Sequence, residues 1–351
     1  MEAQILVYGC YGYTGSLIVA RAMQQNLPIA LGGRDEAKVK EMATKYGLQY
    51  EVFSTDDKEK LTITIAKYKV VLNCAGPFFR TAEIFYNACI AKGVHYLDIT
   101  GEYQVFEMGA SLTEAAKEAN VMLLPGVGFD VVPSDCLANY LKSQLPDADH
   151  LAMFLYTKGG RLSHGTSITV AESIGQKTVL RSEGKLVQVP NGKVQKTIDW
   201  MGKKMTGTAI SWGDISTAFY STGIPNITIY NMLPPSVVKS MKLSNYFGFI
   251  VGSRMVKNYM IRKIKQQPAG PSEEQRKTAK TYIYGEVSNK AGETATAYLE
   301  LPEGYSLTAI TAVNIAKRVL AGEFKAGFQT PATAFGQDFI LNFEGVKRIV
   351  I

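Results

Sequence analysis

Through its first 130 residues the chain alternates between short apolar runs and stretches where apolar residues recur every three or four positions. The apolar runs fall at 5–8, 29–31, 70–72, 94–97 and 121–124, and the helical spacing at 14–25, 37–46, 82–92 and 105–120. Strands separated by helices imply βαβ units, hence a doubly wound α/β domain with a parallel sheet covered on both faces. Uninterrupted apolar runs such as Val70-Val71-Leu72 fit strands buried on both sides.

Beyond residue 150 the texture changes. A strand is expected at 150–157 and a helix at 165–176, followed by β-like alternation at 185–189, 206–211, 216–221 and 226–231. Two further strands, 280–287 and 294–301, flank the turn-like Asn-Lys-Ala-Gly, which suggests an α+β domain with a largely antiparallel sheet. A helix over 307–321 then ends at Gly322, a residue type that favours helix C-termini.

At 351 residues, two domains are expected at roughly 150 residues each. With 46% hydrophobic and 20% charged residues the composition is that of a globular chain rather than a disordered or fibrous one. No two of Cys10, Cys74, Cys89 and Cys136 have CxxC spacing and there are three histidines, so no metal site is expected. Scattered thiols, and a start that runs directly into a strand, lead to the expectation of a cytoplasmic protein.

The net charge of +7 first suggests nucleic acid or an anionic membrane. Its distribution narrows this. Residues 239–280 hold ten basic residues and two acids, a local +8 that leaves the rest of the chain at −1. Nucleic acid is therefore not expected as a partner. Within 245–265, Phe247, Val251, Met255 and Tyr259 recur every four residues, flanked by Phe249, Val256, Met260 and Ile264, with Arg254, Asn258 and Arg262 on another row. This reads as one basic amphipathic helix. It is either a core-facing helix with a solvated basic face or, over 243–265, a peripheral contact with an anionic membrane such as the inner face of a bilayer.

The strongest motif is Gly9-Cys10-Tyr11-Gly12-Tyr13-Thr14-Gly15, which follows the first strand and opens the first helix. Glycine there permits a tight turn and close approach to a pyrophosphate, while the helix N-terminus offers N–H groups to its charge. Arg34 stands nineteen residues after Gly15, where an acid would bond the ribose 2′-hydroxyl of NAD. An arginine can instead pair with the 2′-phosphate of NADP, while Asp35 beside it keeps NAD open. Three more polar, glycine-bearing loops end strands: Asn73-Cys74-Ala75-Gly76-Pro77, Asp98-Ile99-Thr100-Gly101-Glu102 and Pro125-Gly126-Val127-Gly128-Phe129-Asp130. Ligands of open parallel sheets bind beyond the carboxyl ends of strands, so these loops are expected to converge on one edge.

In this order the motifs resemble the saccharopine dehydrogenase-like oxidoreductases, strongly over the first ~135 residues and more weakly beyond. The branch that looks most similar holds the saccharopine dehydrogenase-like oxidoreductases and the trans-acting enoyl reductases. The resemblance implies a Rossmann-type NAD(P)-binding domain over 1–130, completed by 305–351, and a substrate or dimerisation domain over 131–304, hence a homodimer. It implies that Gly9, Gly12, Tyr13, Thr14 and Gly15 hold the pyrophosphate and that Arg34 meets the 2′-phosphate, with Tyr11 also among the cofactor-binding residues. It also implies that Asn73, Ala75, Gly76 and Pro77 line the nicotinamide ribose, with Thr100, Gly101 and Glu102 closing the site. Cys10-Tyr11 departs from the family's usual small hydroxyl-bearing pair, so Tyr11 brings a bulky phenol to that position.

A reductase acting on an imine or an activated alkene must also deliver a proton. Asp98, Glu102, Asp130, Asp135, Tyr103 and His164 are the candidates, and spacing singles out none; Asp98 and Asp130 end strands on the expected ligand edge. The expected activity is hydride transfer from NADPH to a small, lipid-like enoyl or imine substrate. Alternatives are a saccharopine-type amino-acid dehydrogenase, for which Arg161 and Arg181 would have to hold carboxylates, and an NADPH-binding sensor or scaffold without turnover.

Overall fold

The computed structural model describes residues 2–200 and 202–351. The chain forms two compact units, 1–132 with 304–336 and 133–303 with 337–351.

The first unit runs β1 (Ile5–Tyr8), α1 (Tyr13–Gln24), β2 (Ile29–Gly33), α2 (Glu36–Tyr46), β3 (Tyr50–Val52), α3 (Lys58–Ile65), β4 (Val70–Asn73), α4 (Phe78–Lys92), β5 (His95–Asp98), α5 (Tyr103–Ser111), α6 (Thr113–Glu118) and β6 (Met122–Leu124). The expected helix over 105–120 is interrupted at Leu112, which leaves the helical region at φ −97 and ψ 7. Along β1, Leu6 and Tyr8 join a buried cluster with Phe53, Leu61, Phe85 and Tyr96, while Ile5 and Val7 are buried on the opposite face. Both faces are thus covered, as the uninterrupted apolar pattern requires.

The second unit contains α7 (Val132–Gln144), β7 (His150–Lys158), α8 (His164–Ser173), β8 (Thr178–Ser182), β9 (Lys185–Val189), β10 (Gln195–Trp200), β11 (Lys203–Ile210), α9 (Asp214–Thr222), β12 (Asn226–Asn231), α10 (Pro235–Val251), α11 (Arg254–Lys265), α12 (Glu273–Thr278), β13 (Lys280–Ser288) and β14 (Thr294–Leu301). The strand expected at 216–221 is part of helix α9. Ile215 and Ala218 are both fully buried at helical spacing, and Gly223 ends the element in the left-handed conformation. The single helix expected over 245–265 is two helices. Ser253 caps α11 by accepting from the Val256 N–H, which breaks the four-residue stripe. The stripe positions Phe247, Phe249 and Val251 lie outside the described side chains.

The chain then returns to the first unit through α13 (Gly304–Leu320), β15 (Gly327–Phe328) and α14 (Pro331–Phe335), and ends in the second with β16 (Lys347–Val350). Helix α13 packs along α1 and touches β4 and β5. The described residues of the first unit make a seven-stranded, wholly parallel sheet in the order β15-β6-β5-β4-β1-β2-β3. Those of the second make a mixed, mostly antiparallel sheet, β10-β11-β12-β7-β13-β14-β16, with β8 and β9 attached through β12. The expectation that all of 305–351 completes the first unit is corrected for its last fifteen residues. Strand β16 pairs antiparallel with β14, and Arg348 binds Asp338 at 2.7 Å and stacks 3.6 Å over the Tyr140 ring.

Candidate active site

Strand order reverses direction between β1 and β4, because β2 and β3 lie to one side of β1 while β5 and β6 lie beyond β4. In a parallel sheet this switch opens a crevice beyond the carboxyl ends of the two strands. The loops expected to carry the site all leave from that edge: 9–15 after β1, 73–77 after β4, 98–102 after β5 and 125–130 after β6.

The glycine loop is shaped by close approach. Gly9 has φ +81, and a Cβ on it would lie 2.9 Å from the Ala75 backbone nitrogen. A Cβ on Gly15 would lie 2.3 Å from the Gly9 carbonyl oxygen, so the first turn of α1 can sit on the loop only if this residue is glycine. Gly12, the N-cap of α1, brings no side chain to bond the N–H groups of the first turn. Those groups point where a pyrophosphate would be held. Cys10 is fully buried and burial pushes its thiol up to about 11, so it is a packed, unreactive residue.

The departure at Tyr11 acquires a place. Its ring lies against the backbone of Gly33 at the end of β2, with the Lys38 ammonium 5.7 Å from the ring centre. It therefore stands at the β2 side of the loop, against the residue that precedes Arg34. Arg34 is exposed. Asp35 caps α2 by accepting from the Lys38 N–H at 3.2 Å and pairs with the Lys38 ammonium at 3.0 Å. The acid that would serve an NAD ribose is thus committed to a helix end, while the adjacent arginine faces solvent. These residues fit NADP. Arg34→Asp is expected to weaken NADPH binding about 10- to 100-fold with little effect on NADH, from loss of one charge-assisted phosphate contact. Fluorescence titration with both cofactors checks it, and unchanged affinities for both would remove Arg34 from the site.

The other three loops are tied into one network. Asn73, at the end of β4, donates its amide to the Tyr96 hydroxyl at 3.1 Å and to Thr81 Oγ1 at 3.2 Å, and its Oδ1 accepts from the Ala75 N–H at 2.9 Å. The Tyr96 hydroxyl donates to Asp98 Oδ2 at 2.9 Å, and Asp98 Oδ1 accepts from the N–H groups of Thr100 and Gly126, both at 2.9 Å. Thr100 Oγ1 in turn accepts from the Glu102 N–H at 3.0 Å. Glu102 spans to the next loop. Its two carboxylate oxygens accept from the N–H groups of Phe78 and Phe79, at 2.9 and 2.7 Å, capping α4 where Pro77 has no side chain to do so. Asn73, Asp98 and Thr100 are all fully buried.

This sorts the proton-donor candidates. Asp98 is enclosed, with burial pushing its carboxyl up to about 7 against the three donors it accepts from. Glu102 is raised by burial but serves the start of α4. Tyr103 opens α5, its hydroxyl raised by burial. Asp135 and His164 belong to the second unit: Asp135 is fully buried and accepts from the Ser221 hydroxyl at 2.6 Å, while the half-buried His164 has its ring Nε2 2.7 Å from the Gln267 carbonyl oxygen. Asp130 follows β6 and is half-buried, with its carboxyl against the backbone of Gly101. Burial, and then the charge of Glu102, raise it to about 7. Thr81 and Tyr96 were not expected in the site. Alternation along β5 places Tyr96 and Asp98 on one face, and register sets Asn73 beside Asp98; that pattern was the available signal.

Residues 5–124 match the family model described as the saccharopine dehydrogenase NADP binding domain. A mouse saccharopine dehydrogenase-like oxidoreductase is 31% identical over 40% of this chain and 38% of its own length. A Mycobacterium tuberculosis protein named as a trans-acting enoyl reductase is 30% identical over 38% of this chain and 34% of its own. The aligned part is thus under two fifths of either relative. Among solved structures, apo saccharopine dehydrogenase (L-Glu forming) from Saccharomyces cerevisiae superposes over 99% of this chain and 100% of its own with a TM-score of 0.67 at 12% identity, a likeness of fold.

Proposed function

We propose that this chain is a saccharopine dehydrogenase-like oxidoreductase, an NADPH-dependent reductase of a polarised double bond, an enoyl or imine group, with Asp130 supplying the proton. Bound NADPH supplies the hydride. The glycine loop and the first turn of α1 hold the pyrophosphate, Arg34 reads the 2′-phosphate, and the buried Asn73–Tyr96–Asp98 chain fixes the loop that lines the nicotinamide ribose. The observation that carries the reading is the place of Asp130 at the sheet edge. Asp130 follows β6 on the edge from which the nucleotide loops depart, its half-buried carboxyl lies against Gly101 in the loop that closes the site, and burial with the Glu102 charge raises it to about 7, whereas Glu102 caps α4 and Asp98 is fully enclosed.

The amino-acid reading is less well supported. Arg181, one of two arginines it would need, is buried and donates to the carbonyls of Ile215 and Gly184 while stacking on Phe219. The four cysteines are unpaired thiols, which suits a reducing, cytoplasmic setting. NADPH oxidation against a panel of enoyl thioesters, cyclic imines and amino-acid–keto-acid adducts tests the proposal. Turnover confined to the adducts would replace it with the amino-acid reading. Tight NADPH binding without turnover on any member would replace it with a sensor.

A further inference from the structure

Helices α10 and α11 carry groups that the nucleotide site does not use. From residue 215 to residue 272 the chain contains no aspartate or glutamate, and residues 235–265 hold seven lysines and arginines. Large apolar side chains that a globular surface normally covers stand out among these charges. Leu243 and Tyr246 on α10 are 56% and 78% exposed, and Met255 and Tyr259 on α11 are 83% and 62% exposed.

Each helix presents these groups along one line. On α10, Lys239, Leu243 and Tyr246 follow at intervals of four and three; on α11, Met255, Tyr259, Arg262 and Lys263 do the same. The opposite side of α11 rests on α8, where the Lys257 ammonium reaches the Glu172 carbonyl. The two helices also touch each other. A core-facing role for the apolar stripe therefore does not hold for Met255 and Tyr259. Among the described residues no helix is long and apolar enough to cross a membrane.

We propose that the outward faces of α10 and α11 form a docking surface for an anionic phospholipid bilayer. Its basic side chains would meet headgroup phosphates and its Leu, Tyr and Met side chains would enter the headgroup–acyl boundary. Charge complementarity selects this occupant. An acid-free basic face repels cations and basic proteins, and the interleaved Leu and Met contribute nothing to a phosphate backbone but do contribute to an acyl boundary. The surface stands apart from the proposed reductase activity, and its test does not use turnover.

Flotation of the full chain with phosphatidylcholine vesicles, with and without about one-third phosphatidylglycerol, tests it at low and at physiological salt. The chain is expected to float with anionic vesicles only, and less so as salt rises. Two triple variants separate the contributions: Tyr246→Ser/Met255→Ser/Tyr259→Ser removes apolar contacts, and Lys239→Glu/Arg262→Glu/Lys263→Glu reverses charge. Each is expected to lower the bound fraction about tenfold while thermal unfolding and NADPH affinity stay as in the wild type. Absence of flotation at low salt, or flotation undiminished in both variants, would overturn the proposal. So would a wild-type chain that stays with the unfloated fraction and loses self-association, by light scattering, in the apolar variant; that result would make the face a contact between copies.

Discussion

Asp130→Asn is expected to lower kcat by about 10²- to 10⁴-fold, the range typical of losing a positioned general acid, while NADPH affinity changes by less than about twofold. The carboxyl lies beyond β6, on the edge from which the nucleotide loops depart, and it accompanies Gly101 rather than the phosphate-binding turn. Burial is the larger cause of its raised pKa and the Glu102 carboxylate the smaller, so near neutrality it still carries a proton to give. The pH profile is the sharper test. A group that must be protonated makes kcat fall as pH rises through about 7, and the asparagine variant should lose that limb while keeping a low, pH-flat rate. A structural role for Asp130 would lower stability or cofactor affinity and leave the limb in place. An unaltered profile in a folded, NADPH-binding variant would remove Asp130 as donor.

The nucleotide unit was legible because its signals are local. Apolar runs of strand length, a glycine loop between a strand and a helix, and polar loops at strand ends each reflect a backbone requirement that few residue types meet. Gly15 illustrates this, since its neighbour leaves no space for a Cβ. The second unit was less legible because its elements are decided by tertiary packing. Residues 216–221 alternate well enough for a strand, yet Asp214–Ala218 are buried on all sides as the first turns of a helix, which satisfies their backbone groups internally. The apolar spacing of 245–265 likewise continues across a break that only the Ser253 cap reveals. At the site, sequence identified the right loops but not the roles within them. Asp98 and Asp130 look alike as strand-ending acids. In the fold Asp98 is fully buried and Asp130 half-buried, and the Tyr96 hydroxyl and the N–H groups from two loops reach Asp98 only when β4, β5 and β6 pair.

Asp98→Ala is expected to destabilise the protein by roughly 4 kcal/mol, because it leaves the buried N–H groups of Thr100 and Gly126 and the Tyr96 hydroxyl without their acceptor, at about 1–3 kcal/mol each before relaxation. For a unit of this size the melting temperature should fall by about 10 °C. Asp98→Asn should cost about 1–2 kcal/mol, since its oxygen still accepts from both N–H groups. Its amide, however, donates toward a tyrosine hydroxyl that already accepts from Asn73 and must turn its own proton elsewhere. The alanine variant should also bind NADPH about tenfold more weakly, as the Asn73–Ala75 loop loses its anchor, with the asparagine variant between the two. Dependence on pH separates charge from hydrogen bonding. Asp98 binds its proton more tightly when folded, at about 7, than at the ordinary 3.8, so its contribution is fully present below about pH 4 and is lost as pH rises through 7. Each such group adds a slope of about −1.4 kcal/mol per pH unit inside that window, and Asp130 adds a second. The curve of unfolding free energy against pH for Asp98→Asn should therefore be flatter than that of the wild type by one proton's share between pH 4 and 7. If the two curves run parallel there, Asp98 is ionised throughout, and the network is held by its charge rather than by a shared proton.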